Sequence, residues 1–122
     1  MIMKILFVDD EEDIRKVGEV SLAKVGNHDV HVAANVDEAM TVLSSEVPDL
    51  ILLDVMMPGT DGLTMLERLR ADSGTKDIPV IFMTAKVQKH EVEDYMARGA
   101  KGVIKKPFDP LTLPDEIGAI VG

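Results

Sequence analysis

Leu50-Ile51-Leu52-Leu53-Asp54 sets four aliphatic side chains directly before an acid, and Val55-Met56-Met57-Pro58 follows with no helix start close enough for that acid to cap. A continuous aliphatic run of this length suits a strand buried on both faces, as in parallel sheets covered by helices. Working outward, similar short runs stand at Ile5-Leu6-Phe7-Val8, Val30 to Ala34, Val80-Ile81-Phe82-Met83 and Val103-Ile104. Between them, apolar or small residues fall at helical spacing: Ile14, Val17, Ser21 and Val25; Val36, Ala39, Met40 and Leu43; Leu63, Leu66 and Leu69; Val92, Tyr95 and Met96. Five strands, each followed by a helix, are expected. Asn35 and Glu38 form a capping-box pattern at the start of the second helix, and Gly26 and Gly99 mark the stops of the first and fourth. Asp109-Pro110 and Leu113-Pro114 predict a separate turn before a last helix that runs to Val121. Such alternation with short, right-handed crossovers makes a doubly wound α/β domain, and without linkers or repeats residues 1–122 read as one domain.

The composition removes several functional classes. Against 22 Asp and Glu the chain has only 13 Lys and Arg, a formal charge of −9, so affinity for a nucleic acid backbone or an anionic membrane is disfavoured. There is no cysteine, which excludes thiol catalysis, thiolate metal sites and disulfides. Aromatics are 3% and Trp is absent, so base-stacking platforms are not expected. The apolar run that ends at Val8 is too short for a signal peptide or a membrane span, which predicts a cytoplasmic chain.

In doubly wound sheets chemistry collects at the carboxyl ends of the strands. Here those ends carry Asp9-Asp10, Asp54, Thr84-Ala85 and Lys105-Lys106-Pro107. Singly, each has an ordinary explanation: an Asp as a helix or turn cap, a strand-end hydroxyl, a solvated lysine. Jointly they place three carboxylates, a hydroxyl and an ammonium together. Carboxylates about 5 Å apart repel by roughly 3 kcal/mol per pair at an effective dielectric near 20, which calls for protonation or a cation. An all-oxygen donor set favours Mg²⁺, with Mn²⁺ the other choice, over zinc. A carboxylate beside such an ion and a lysine can attack phosphorus in line, giving an acyl phosphate. His28, His31 and His90 lack ligand spacing and read as surface groups, Glu11, Glu12 and Asp13 as first-turn acids favouring a helix dipole, and the methionines as core filler.

Phe7-Val8-Asp9-Asp10-Glu11, Leu52-Leu53-Asp54-Val55-Met56-Met57-Pro58-Gly59-Thr60-Asp61-Gly62, Met83-Thr84-Ala85 and Lys106-Pro107-Phe108-Asp109 together resemble the receiver domain of two-component response regulators, in order and spacing and over essentially the whole chain. The resemblance implies a five-stranded sheet of order 2-1-3-4-5. It implies Asp54 as acceptor of a phosphoryl group from a sensor histidine kinase or a histidine phosphotransfer protein. Asp10 would bind Mg²⁺ directly, Asp9 largely through water, and the Met56 backbone carbonyl would be a further ligand. Lys106 would pair with a phosphoryl oxygen, aimed by a cis peptide at Pro107, while Thr84 and the Ala85 backbone would bind others. Phosphorylation would then change the face made by the fourth helix, fifth strand and fifth helix, through which such chains pair weakly or remain monomers.

Two departures stand out. Many receivers carry Tyr or Phe three residues before the lysine, where this chain has Val103, so aromatic gating is not expected as the signal, and the readout is expected from backbone shifts of the loop after Thr84 or from a partner that supplies the large side chain. Met56 and Lys86 occupy the two positions that tune water access to the acyl phosphate, and neither suits orienting an attacking water, so slow self-dephosphorylation is expected. The length predicts a free-standing switch that signals through an unidentified downstream protein and is not an enzyme with turnover. The alternatives are a degenerate receiver serving as a constitutive interaction module, a magnesium-dependent phosphatase, which Met56 disfavours by standing where a second acid is usual, and a flavin protein, which the acids after the first strand disfavour.

Overall fold

Aliphatic β-branched runs become the middle of the molecule and amphipathic segments its two coats. The computed structural model describes residues 2–122. In chain order the elements are β1 (Lys4–Val8), α1 (Glu12–Val20) continued by a π-helical turn (Ser21–Val25), β2 (Asp29–Ala33), α2 (Val36–Ser45), β3 (Leu50–Asp54), α3 (Gly62–Ala71), β4 (Val80–Thr84), α4 (Lys89–Ala97), β5 (Gly102–Lys105) and α5 (Leu113–Val121). All strand pairs are parallel, in the order β2-β1-β3-β4-β5. This is the expected doubly wound arrangement with five helices.

Period-two alternation divides the core into two layers. Leu6, Val8, Ile51, Leu53, Val80 and Phe82 point to one side, where α2, α3 and α4 supply Ala39, Leu66 and Tyr95. Ile5, Phe7, Leu50, Leu52, Ile81 and Met83 point to the other, against Leu22, Leu113 and Ile117. Central β3 is buried throughout. Such burial of each large aliphatic side chain contributes about 1.5–3 kcal/mol before entropy is subtracted.

The expected buried face of α1 is corrected. Val17 and Val25 are exposed, as is Met96 on α4. Of the expected face Ser21 is buried and Ile14 packs on the core, while Gly18 and Leu22 take the inner places that the two valines do not fill. A Cβ on Gly18 would lie 2.4 Å from the Phe7 ring, so the missing side chain is what lets the helix sit on the sheet. The π-helical turn then brings the Ser21 hydroxyl to the Pro110 carbonyl. At α2 the Glu38 N–H donates to Asn35 Oδ1 (2.8 Å), but the Glu38 carboxylate accepts from Ala34 N–H (3.0 Å), one residue outside the expected box. Gly99 has φ of 108° and ends α4, as expected. Asp109 caps the separate turn before α5, its carboxylate accepting from Leu111 N–H at 2.9 Å.

Arg70, in the last turn of α3, ties three loose ends together. One guanidinium nitrogen donates to the carbonyls of Lys76 (3.0 Å) and Ile78 (2.9 Å), and the other to that of Gly99 (3.0 Å), just past α4. Among the described residues no helix is long and apolar enough to cross a membrane.

Candidate functional site

The register of the sheet brings the strand ends level: Val8 lies beside Ala33 and Leu53, Asp54 beside Met83, and Thr84 beside Lys105. The residues at and just beyond these ends therefore meet at one edge. Asp9 leaves β1 fully buried, its N–H donating to Ala33 O (3.1 Å) and its Oδ1 accepting from Glu11 N–H (2.9 Å). Arg15 reaches back from α1 to the Asp9 carbonyl (2.8 Å), a support that the sequence pattern does not announce. Asp10 is exposed. Asp54 ends β3 almost wholly buried, and Met56 N–H donates to its Oδ1 at 3.3 Å.

Two small residues make room for that turn. Gly59 has φ of 78°, and a Cβ on Gly62 would stand 2.4 Å from the Asp54 carbonyl oxygen. Asp61 caps α3 by accepting from Thr64 N–H (2.9 Å), which leaves Asp54 without a capping task. Gly62 falls within the receiver-like stretch of the sequence but its steric role does not show there; an N1 glycine directly after an Asp cap is its local signal.

Lys106 directly follows β5, a cis bond joins it to Pro107, and its N–H donates to Thr84 O at 2.9 Å. Its ammonium lies 2.6 Å from Asp9 Oδ2 and 3.4 Å from Asp54 Oδ2. The shorter contact is a charge-assisted pair in a buried place, and Asp54 shares the same ammonium at longer range. Burial, then the Asp9 charge, push the Asp54 carboxyl up to about 6, with Lys106 and the Met56 amide offsetting part of the rise. Burial would lower the Lys106 pKa, but the two carboxylates outweigh it and the net shift is upward.

Ligand oxygens of Asp9, Asp10 and Asp54 all lie within 4.8 Å of one another. Three carboxylates and no nitrogen or sulfur donor in the cluster fit a hard divalent cation such as Mg²⁺. Thr84 is buried at the end of β4, its Oγ1 accepting from Lys86 N–H (3.0 Å), while Ala85 and the Lys86 side chain are exposed. Met56 is exposed beside Asp54, and partly buried Val103 packs into the core layer under α4. A concavity of about 330 Å³ runs between the two loops, lined by Val55, Met56, Leu63, Lys86, His90 and Tyr95. A roomier one of about 490 Å³ opens at the far end of the sheet, around Met3, His28 and Pro114, remote from the carboxylates.

Comparison with known proteins agrees with this geometry. The family described as "Response regulator receiver domain" matches residues 5–118. The phosphate regulon transcriptional regulatory protein PhoB of Pseudomonas aeruginosa is 40% identical over 117 residues, covering 96% of this chain and 51% of its own length. Response regulator Rre1 of Synechocystis is 37% identical, with 98% and 50% covered. The chain thus spans about half the length of the curated relatives it matches. Among solved structures, chemotaxis response regulator CheY4 of Vibrio cholerae superposes with a TM-score of 0.90 at 30% identity, covering 99% of this chain and 100% of CheY4. A fold, an acidic strand-end cluster and a sequence match that agree over nearly every residue establish that this chain belongs to the response regulator receiver domains of two-component signal transduction.

Proposed function

We propose that Asp54 is the phosphoacceptor of a protein switch. One observation carries the reading: a nearly buried Asp54 shares the Lys106 ammonium with Asp9, while a third carboxylate stands within ligand distance. A carboxyl with its pKa pushed up to about 6 is ionised at neutral pH yet a stronger base than a free Asp, which favours attack on phosphorus. In the transfer, Asp54 Oδ bonds to the phosphorus of a phosphohistidine, the P–N bond breaks, the imidazole nitrogen keeps the electron pair, and an acyl phosphate results. Asp9, Asp10 and Asp54, with the Met56 carbonyl, would hold Mg²⁺. When bound, that ion supplies positive charge against the phosphoryl oxygens.

Lys106 exchanges its carboxylate partners for a phosphoryl oxygen. Thr84 gains a charge-assisted acceptor that exists only after phosphorylation, and the Ala85 amide donates to the same group in this reading. That differential contact biases a two-state equilibrium of the loops after β4 and β5, and so the α4–β5–α5 face that a downstream protein or a second copy reads. The donor is a sensor histidine kinase or a histidine phosphotransfer protein, and the setting is cytoplasmic. Met56, two residues beyond Asp54, offers no acid for turnover, so the chain is a switch and not a phosphatase.

Incubation with Mg²⁺ and acetyl phosphate, followed by intact mass measurement, tests this. Wild type should gain one phosphoryl group and Asp54→Ala none; an adduct on Asp54→Ala moves the site elsewhere. A degenerate receiver would stay unmodified even with a kinase present.

A further inference from the structure

The Tyr95 phenol sits where the loop after Thr84 meets α4. Its ring is 5% exposed and packs on Phe82, with centroids 5.4 Å apart and planes at 60°. Its hydroxyl donates to the Lys86 carbonyl at 3.3 Å, and Lys86 N–H in turn donates to Thr84 Oγ1 at 3.0 Å. One residue, Lys86, thus links the Thr84 hydroxyl to an aromatic side chain of α4 through its own two backbone groups. The phenol pKa is raised by burial, and the nearby Thr84 hydroxyl offsets part of that rise. Beside the ring lies the concavity shared with Met56 and His90, which leaves it somewhere to go.

We propose that Tyr95 is a positioning residue of the switch: its hydroxyl holds the loop after β4 in the unphosphorylated arrangement and carries the movement of Thr84 to α4. This deepens the phosphoacceptor reading and rests on it. When the Thr84 hydroxyl turns to a phosphoryl oxygen, Lys86 N–H loses its acceptor and the loop rearranges. The Lys86 carbonyl then leaves the phenol, and Tyr95 must find another partner or face solvent. Val103 on β5 supplies no ring for such coupling, whereas Tyr95 approaches the same loop from the helix side.

Tyr95 is the only tyrosine and there is no tryptophan, so intrinsic emission reports this one side chain. Emission and intact mass are read on the same sample of the full chain after incubation with acetyl phosphate and Mg²⁺. Wild type should gain the adduct and change its emission together. Thr84→Val removes the acceptor of Lys86 N–H outright, so its emission should differ from that of resting wild type before phosphate is added and should not change further on phosphorylation, which is slower but reaches the same adduct mass. Tyr95→Phe retains the ring on Phe82 and should be phosphorylated up to about five-fold faster, the worth of one neutral hydrogen bond. An adduct on wild type without a change in emission, a change that persists in Thr84→Val, or an unaltered rate in Tyr95→Phe overturns the role of Tyr95 and leaves the phosphoacceptor standing. No adduct on wild type removes the phosphoacceptor and this inference with it.

Discussion

Asp54 is held in a place that resists its charge. Its carboxyl titrates at about 6 in the folded chain against 3.8 when free, so the folded state binds more protons between those values. Stability from this group is therefore complete below 3.8 and is lost as pH rises through about 6. Asp54→Asn removes that loss. In metal-free buffer at pH 7 the variant should be more stable than wild type by about 2 kcal/mol, a rise in melting midpoint of about 5–10 °C. Saturating Mg²⁺ should narrow the gap, because the wild-type carboxylate then gains a cation. A variant melting at or below wild type in chelator would show that Lys106 already neutralises the site. Met56 belongs to the same scale. It is exposed beside the acid and cannot orient water, so Met56→Asn should shorten the phosphoryl lifetime by about ten-fold, a barrier change near 1.4 kcal/mol. Decay of the phosphorylated mass over time measures it, and an unchanged half-life would place control of water elsewhere.

The strands and the faces of α2 and α3 were legible, whereas the face of α1 was not, for a physical reason. A strand buried on both sides needs only a short aliphatic run, which Leu50 to Leu53 display without reference to anything else. The face of α1 depends on its partner: Gly18 faces inward because Phe7 fills the space a side chain would take, so Val17 and Val25 turn to solvent. No periodicity encodes that exchange, nor the π-helical turn beyond it. Glycines also separate by element. Gly62→Ala would push a Cβ into the Asp54 carbonyl, which as backbone cannot yield, whereas Gly118→Ala in α5 meets nothing within 4 Å. Acetyl phosphate labelling should slow by about ten-fold or more in the first. The unfolding free energy from denaturant titration should rise by about 0.5–1 kcal/mol in the second. Equal labelling rates in the two would mean that the turn after β3 accommodates a side chain without moving Asp54.

For the molecule as a whole, the cluster was readable because a parallel sheet forces the carboxyl ends of its strands to one edge, so Asp9, Asp10, Asp54, Thr84 and Lys106 had to meet once the strands were known. The strand order entered through the family resemblance, and the sharing of Lys106 between Asp9 and Asp54 emerged only from coordinates. Tyr95 shows the limit well: its spacing marked it as core, which it is, while its hydroxyl partner lies in a loop whose path no local pattern states. Arg70 has a mechanical meaning at this scale. By holding the carbonyl of Gly99 it pins the trailing end of α4 to α3, while the leading end follows the loop whose Lys86 N–H donates to Thr84. A rod fixed at one end can only swing. Phosphorylation should then move α4 as a lever about Gly99, with displacement growing toward Gln88, and amide hydrogen exchange should rise near Lys86–Lys89 while Arg98–Ala100 stays protected. Cutting the anchor with Arg70→Ala would let the helix slide instead, spreading the exchange along its length and blunting the difference between the two states of the output face.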